Sequence, residues 1–155
     1  MEDLWIGRFD TSGITEFSFN RFQSLQSLVI GNGTFWEITS FELKLSELIR
    51  LKRIVIGNNC FGKARVFELD GLSELNSVVI GEESFRISDS KRSDGSCRIA
   101  NCPKLNSIQI GDNSFFDYYS FELSNLPSLQ SIDIGQYCFY YTPSFSLTGL
   151  IDWLV

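Results

Sequence analysis

The sequence predicts a β-rich solenoid, a single chain wound into about six stacked coils with little helix. Three observations predict it. A nine-residue pattern recurs as "SLVIGNGTF", "RIVIGNNCF", "SVVIGEESF", "SIQIGDNSF" and "SIDIGQYCF". Its glycines, with one more near the start, are Gly7, Gly31, Gly57, Gly81, Gly111 and Gly135, separated by 24, 26, 24, 30 and 24 residues. A fixed period in that range marks a fold of stacked repeats. Apolar residues alternate with polar ones at strand spacing, and only "LKLSELIRL" offers a short helical stripe.

Each coil is read in the same order, here for the fifth. Leu105, Ile108 and Ile110 open it, and the last two point to one side of a strand while Ser107 and Gln109 point away. The inward set is β-branched, which suits a parallel sheet forming the first wall. Gly111 follows where the chain must leave the sheet, at a corner needing positive φ or close backbone approach. Phe115 then folds back over the coil interior. The residue before it is Ser, Thr or Cys in every copy, placed to bond backbone groups at the turn.

A second alternation, "SFEL", "VFEL", "CRIA", "SFEL" and "SFSL", predicts short strands or extended segments on the opposite wall. Its outward column reads Ser18, Glu42, Glu68, Arg98, Glu122 and Ser146, so Arg98 is expected between Glu68 and Glu122. Two insertions break the period. Two extra residues lengthen "FELKLSELIRL", and six more produce a polar loop over residues 87–96. Insertions of this kind fall in loops on one face. Residues 1–155 therefore read as one repeat domain, either part of a longer array or closed at its open ends by end-to-end self-association.

The segment LxxIxIGxNSF resembles the LxxLxLxxNxL segment of leucine-rich repeats, with Ile for two leucines and Phe for the last, and the resemblance covers almost the whole chain. The IGxxSF form further resembles repeat arrays expanded in unicellular eukaryotes. The resemblance implies a right-handed coil with the first sheet on a concave wall, and a protein partner gripped by that wall. It also implies an asparagine that bonds neighbouring backbone. Only Asn59 and Asn113 match that slot, where Phe9, Gly33, Glu83 and Tyr137 stand in the other coils.

Composition narrows the function classes. The chain has 155 residues, a formal net charge of -6 and no histidine. An acidic chain lacks the clustered Lys and Arg of a nucleic-acid footprint, and no membrane contact is expected either. Without histidine the commonest general base and the serine triad are gone, so a non-catalytic protein with no cofactor or metal is expected. Asp112 and Asp133 are the candidate carboxylates for the weaker enzymatic reading. The acidic start "MEDLWIGRFD" lacks a signal-peptide pattern. The four cysteines occupy repeat slots as small buried fillers, in keeping with a reducing, cytoplasmic setting.

The expected partner-binding surface is the outward column between the two inward aliphatics of the first wall. It reads Trp5, Val29, Val55, Val79, Gln109 and Asp133. The first four form an apolar strip, with Lys52 and Arg53 beside it and Glu82 and Asp112 at its edge. Exposed strips of that kind mark contact sites. The alternative is a surface or secreted adhesive array recognising protein or glycan, favoured by the glycosylation sequon "NGT" at Asn32 to Thr34. A binding face built on a ladder of Ser27, Ser77, Ser107 and Ser131 is disfavoured because Arg53 interrupts it.

Overall fold

An alternating chain of short strands can satisfy its backbone groups only by pairing in register with the next coil. The computed structural model describes residues 1–7, 17–38, 42–87 and 94–150, and in it this pairing produces two parallel sheets. The first holds β1 (Asp3–Ile6), β2 (Ser27–Ile30), β4 (Arg53–Ile56), β6 (Ser77–Ile80), β8 (Ser107–Ile110) and β10 (Ser131–Ile134), stacked in that order. The second holds β3 (Glu42–Lys44), β5 (Val66–Asp70), β7 (Ser96–Ala100), β9 (Ser120–Ser124) and β11 (Ser144–Thr148), again in sequence order. The chain is a parallel β-solenoid, and the described residues contain no helix. None of their helices, there being none, could cross a membrane.

The core fills the space between the two sheets. Leu105, Ile108, Ile110, Phe115, Phe121, Leu123 and Leu126 of the fifth coil, and Leu129 that opens the next, are all buried, as the alternation requires. The phenylalanines that close each corner form one column. Phe35, Phe61, Phe85, Phe115 and Phe139 stack with centroids 4.8 to 5.2 Å apart. Each of these five has a positive φ, between 53° and 59°, a conformation that non-glycine residues seldom adopt. Burial and stacking hold them there.

Three details differ from the sequence expectations, and a fourth, at Gly111, is decided between the two causes expected for it. First, "LKLSELIRL" is a strand followed by turns, because Leu43, Leu45, Leu48 and Leu51 are buried as successive corners of one coil and not along a helical stripe. Second, Leu43 lies opposite Phe67 and Lys44 opposite Glu68, so Glu42 drops out of the outward column by two residues. The two extra residues therefore precede β3. They fall at the same corner as the six-residue insertion, whose residues 88–93 lie outside the described residues.

Third, Gly111 is not among the residues with positive φ. Glycine is required there by close approach, since a Cβ would lie 2.6 Å from the Glu82 nitrogen of the preceding coil. Among the described residues the left-handed corners with glycine are Gly33, Gly71 and Gly149. Fourth, Asn59 and Asn113 build no side-chain ladder. Their slot works through the backbone: the N–H of Gly33, Asn59, Glu83 and Asn113 each donates to a carbonyl of the next coil at 2.8 to 2.9 Å. A slot that uses only main-chain atoms tolerates Gly, Glu or Tyr as well as Asn.

Candidate functional site

The outward face of the first sheet is built by three columns in fixed register. Along the middle, Trp5 lies beside Val29, Val29 beside Val55, Val55 beside Val79, Val79 beside Gln109 and Gln109 beside Asp133. The alternation inferred from sequence thus places all six on one line. Trp5 is 71% exposed, and its ring lies across Gly7, where an added Cβ would meet it at 2.8 Å. Val29, Val55 and Val79 are half-buried, while Gln109 and Asp133 are exposed. The strip therefore begins apolar and ends polar.

The flanking columns carry the charge. Arg53 opens β4 between Ser27 and Ser77, exposed, with Lys52 exposed beside it. Across the strip, the residue after each column glycine is Asn32, Asn58, Glu82, Asp112 and Gln136. This column was missed as a structural device. Asn32 Oδ1 accepts the N–H of Asn58, Asn58 Oδ1 that of Glu82, and Asp112 Oδ1 that of Gln136, each at 2.8 Å. Short side-chain oxygens at this position satisfy strand-end donors of the next coil. The readable signal was a polar residue after the glycine in each of these coils. Asp112 thus edges the strip with one carboxylate oxygen committed to the backbone, and Glu82 is exposed beside it.

Beneath the face runs a buried ladder of hydroxyls and thiols. Thr34 Oγ1 donates to the Gly31 carbonyl at 2.8 Å. Cys60 Sγ donates to Gly31, Ser84 Oγ to Gly57, Ser114 Oγ to Gly81 and Cys138 Sγ to Gly111, at 2.7 to 3.1 Å. Ser84 and Ser114 also accept the N–H of Cys60 and Ser84. The expected role of this slot in capping backbone is what its geometry provides. Cysteine serves because a thiol can still donate, and burial raises the Cys60 and Cys138 thiols above their ordinary range. The same ladder accounts for the sequon: Thr34 is fully buried, and Asn32 belongs to the polar column above.

Other surface chemistry lies elsewhere. A cleft of about 200 Å³ beside β3 is lined by Phe17 to Asn20 and Glu42 to Lys44. Its one carboxylate, Glu42, is paired with Lys44 at 2.8 Å. Asp112 and Asp133 are not among its lining residues. Among the described residues no three His, Cys, Asp or Glu gather where they could hold a metal ion. Lys91 and Arg92 of the inserted polar loop lie outside the described residues. Compared with known protein families, curated proteins and solved structures, the chain matches none.

Proposed function

We propose that this solenoid is a non-catalytic interaction scaffold of the leucine-rich-repeat type, binding a protein partner along the outward face of its first sheet. One observation carries the reading. Trp5, Val29, Val55 and Val79 form a continuous, partly exposed apolar line in strict register. Four apolar side chains facing solvent side by side form the kind of contiguous patch that marks a contact site. A fixed backbone lets such a surface bind with little loss of conformational freedom. Lys52 and Arg53 on one side, with Glu82 and Asp112 on the other, would orient a partner that carries charges of both signs.

A cytoplasmic setting is part of the proposal. The four cysteines are free thiols, three of them buried, in keeping with a reducing compartment. The adhesive alternative loses its main support, because both polar residues of the sequon have structural duties.

The test is a Val55→Glu, Val79→Glu double variant, checked by circular dichroism for an unchanged fold and then compared with wild type in capture of partners from native lysate. Loss of a discrete set of bound proteins is expected. Capture of the same proteins in the same yield would reduce the strip to sheet filler, and a Lys91→Glu, Arg92→Glu variant would then be the next to compare.

A further inference from the structure

Resting on the binding face proposed above, we infer that its third coil takes an acidic segment of the partner protein, with carboxylates on Arg50, Lys52 and Arg53 and apolar side chains on Val55 and Val79. Two slots at the start of the first sheet are nearly uniform along the chain. An amide and then a serine fill them, as Gln26 and Ser27, Asn76 and Ser77, Asn106 and Ser107, and Gln130 and Ser131. The third coil puts Lys52 and Arg53 there. Backbone bonding does not require the change, because the N–H groups of Lys52 and Arg53 donate to the Gln26 carbonyl just as those of Asn76 and Ser77 donate to Lys52. Nor do these cations hold a neighbouring coil. Among the described residues Lys44, Lys63, Arg65, Arg86, Arg98 and Lys104 each reach a carboxylate within 3.7 Å. Arg50, Lys52 and Arg53 reach none, in a chain with 19 acidic residues, and of the other described Lys and Arg only Arg21 shares that state.

All three cations are exposed, with Leu51 buried between them. Like charges this close in the chain repel one another, and an anionic occupant removes that cost. Arg50 lies in the turn and Arg53 opens β4, so the charges are strung along the chain, which suits the separate carboxylates of a peptide better than one compact phosphate. Ser27 and Ser77, in register on either side of Arg53, add hydroxyl donors. Val55 follows Arg53 by two residues on the same face, so the acidic stretch leads into an apolar one. Like charge sets the limits of the site: Glu2 and Asp3 fill the same two slots in the first coil, and Glu82 stands across the strip.

Fluorescence anisotropy tests this with a labelled peptide, a block of Glu and Asp followed by a block of Leu and Val. Wild type should bind it, more weakly as salt rises, and should not bind the same peptide with Gln and Asn in the first block. An Arg50→Ser, Lys52→Asn, Arg53→Ser variant gives the third coil residues that other coils already carry in those slots. It should melt like wild type and bind the acidic peptide about tenfold more weakly. Equal binding of the two peptides, unchanged affinity in the triple variant, or tighter binding of a peptide with one phosphoserine in place of the acidic block would each overturn the inference. A triple variant that unfolds would overturn it too, since the cations would then serve the coil. Val55→Thr, Val79→Thr, which adds no charge, separates the two readings. Loss of affinity in the triple variant alone leaves the carboxylate site standing and removes the apolar strip, whereas loss in the valine pair alone keeps the strip and removes the acidic occupant.

Discussion

A Cβ on Gly111 would lie 2.6 Å from the Glu82 nitrogen and 2.7 Å from the Gly81 carbonyl carbon, both backbone atoms of the preceding coil. Backbone held in a sheet on both sides cannot move aside cheaply. Gly111→Ala should therefore cost about 1–3 kcal/mol or more, measured by urea denaturation. Ser84 sits in the buried ladder, donating to Gly57 and accepting from Cys60. Ser84→Ala should cost about 1–3 kcal/mol, because it leaves a buried donor and a buried acceptor without partners. Ser84→Cys should cost less, since Cys60 and Cys138 already fill the slot. The Cys97 and Cys102 thiols are likewise raised by burial. Alkylation at neutral pH, followed by mass spectrometry, should be slow at Cys60, Cys97 and Cys102 in the folded protein and complete in denaturant.

β3 shows what the element scale adds. With Lys44 opposite Glu68, and Arg98 between Glu68 and Glu122, the outward column of the second sheet alternates in sign. Sequence alignment had placed Glu42 there, which would have set two carboxylates side by side. The apolar pattern could not decide between them, because the strand period is two and a two-residue slip leaves every side chain on its own face. Arg98 is paired with Asp70 and with Glu122, reaching the second at 3.2 Å. Hydrogen bonds from Asn101 first, and then Arg98, hold the Asp70 carboxyl below its ordinary range. The stability it contributes is complete above about pH 4, the ordinary carboxylate value, and is lost as pH falls through the lowered one. Asp70→Asn should remove that part of the acid-side slope. At neutral pH it should cost under about 1 kcal/mol, since both side chains are about a third exposed.

Across the whole molecule, stability comes from neighbouring coils covering one another, so the cost of a truncation depends on how many neighbours a coil has. Phe85 is fully buried with stacked rings on both sides, from Phe61 and Phe115. Phe139 is 8% exposed in the last described coil and stacks on Phe115 alone within the column. Phe85→Ala should cost about 3–5 kcal/mol and Phe139→Ala measurably less. Equal losses in chemical denaturation would show that the coils do not act as nearest-neighbour units.

The period, the inward residues and the line from Trp5 to Asp133 were legible in the sequence, because pleat and stacking are local rules repeated six times. The candidate strip is legible for the same reason: residues equivalent in the repeat become neighbours in the sheet. The backbone at each corner was not. Phe, Glu and Tyr seldom accept positive φ, so nothing in their identity announces it; burial holds the phenylalanines there, and a main-chain bond to the next coil holds Glu83. The need for glycine was likewise readable, but which of its two causes applied was not, since the atom that a side chain would strike belongs to the coil 30 residues earlier at Gly111. The sequence by itself determined what repeats and which way each residue points. Tertiary structure decided how each coil meets the next, because register and left-handed corners are set by contacts between residues far apart in the chain.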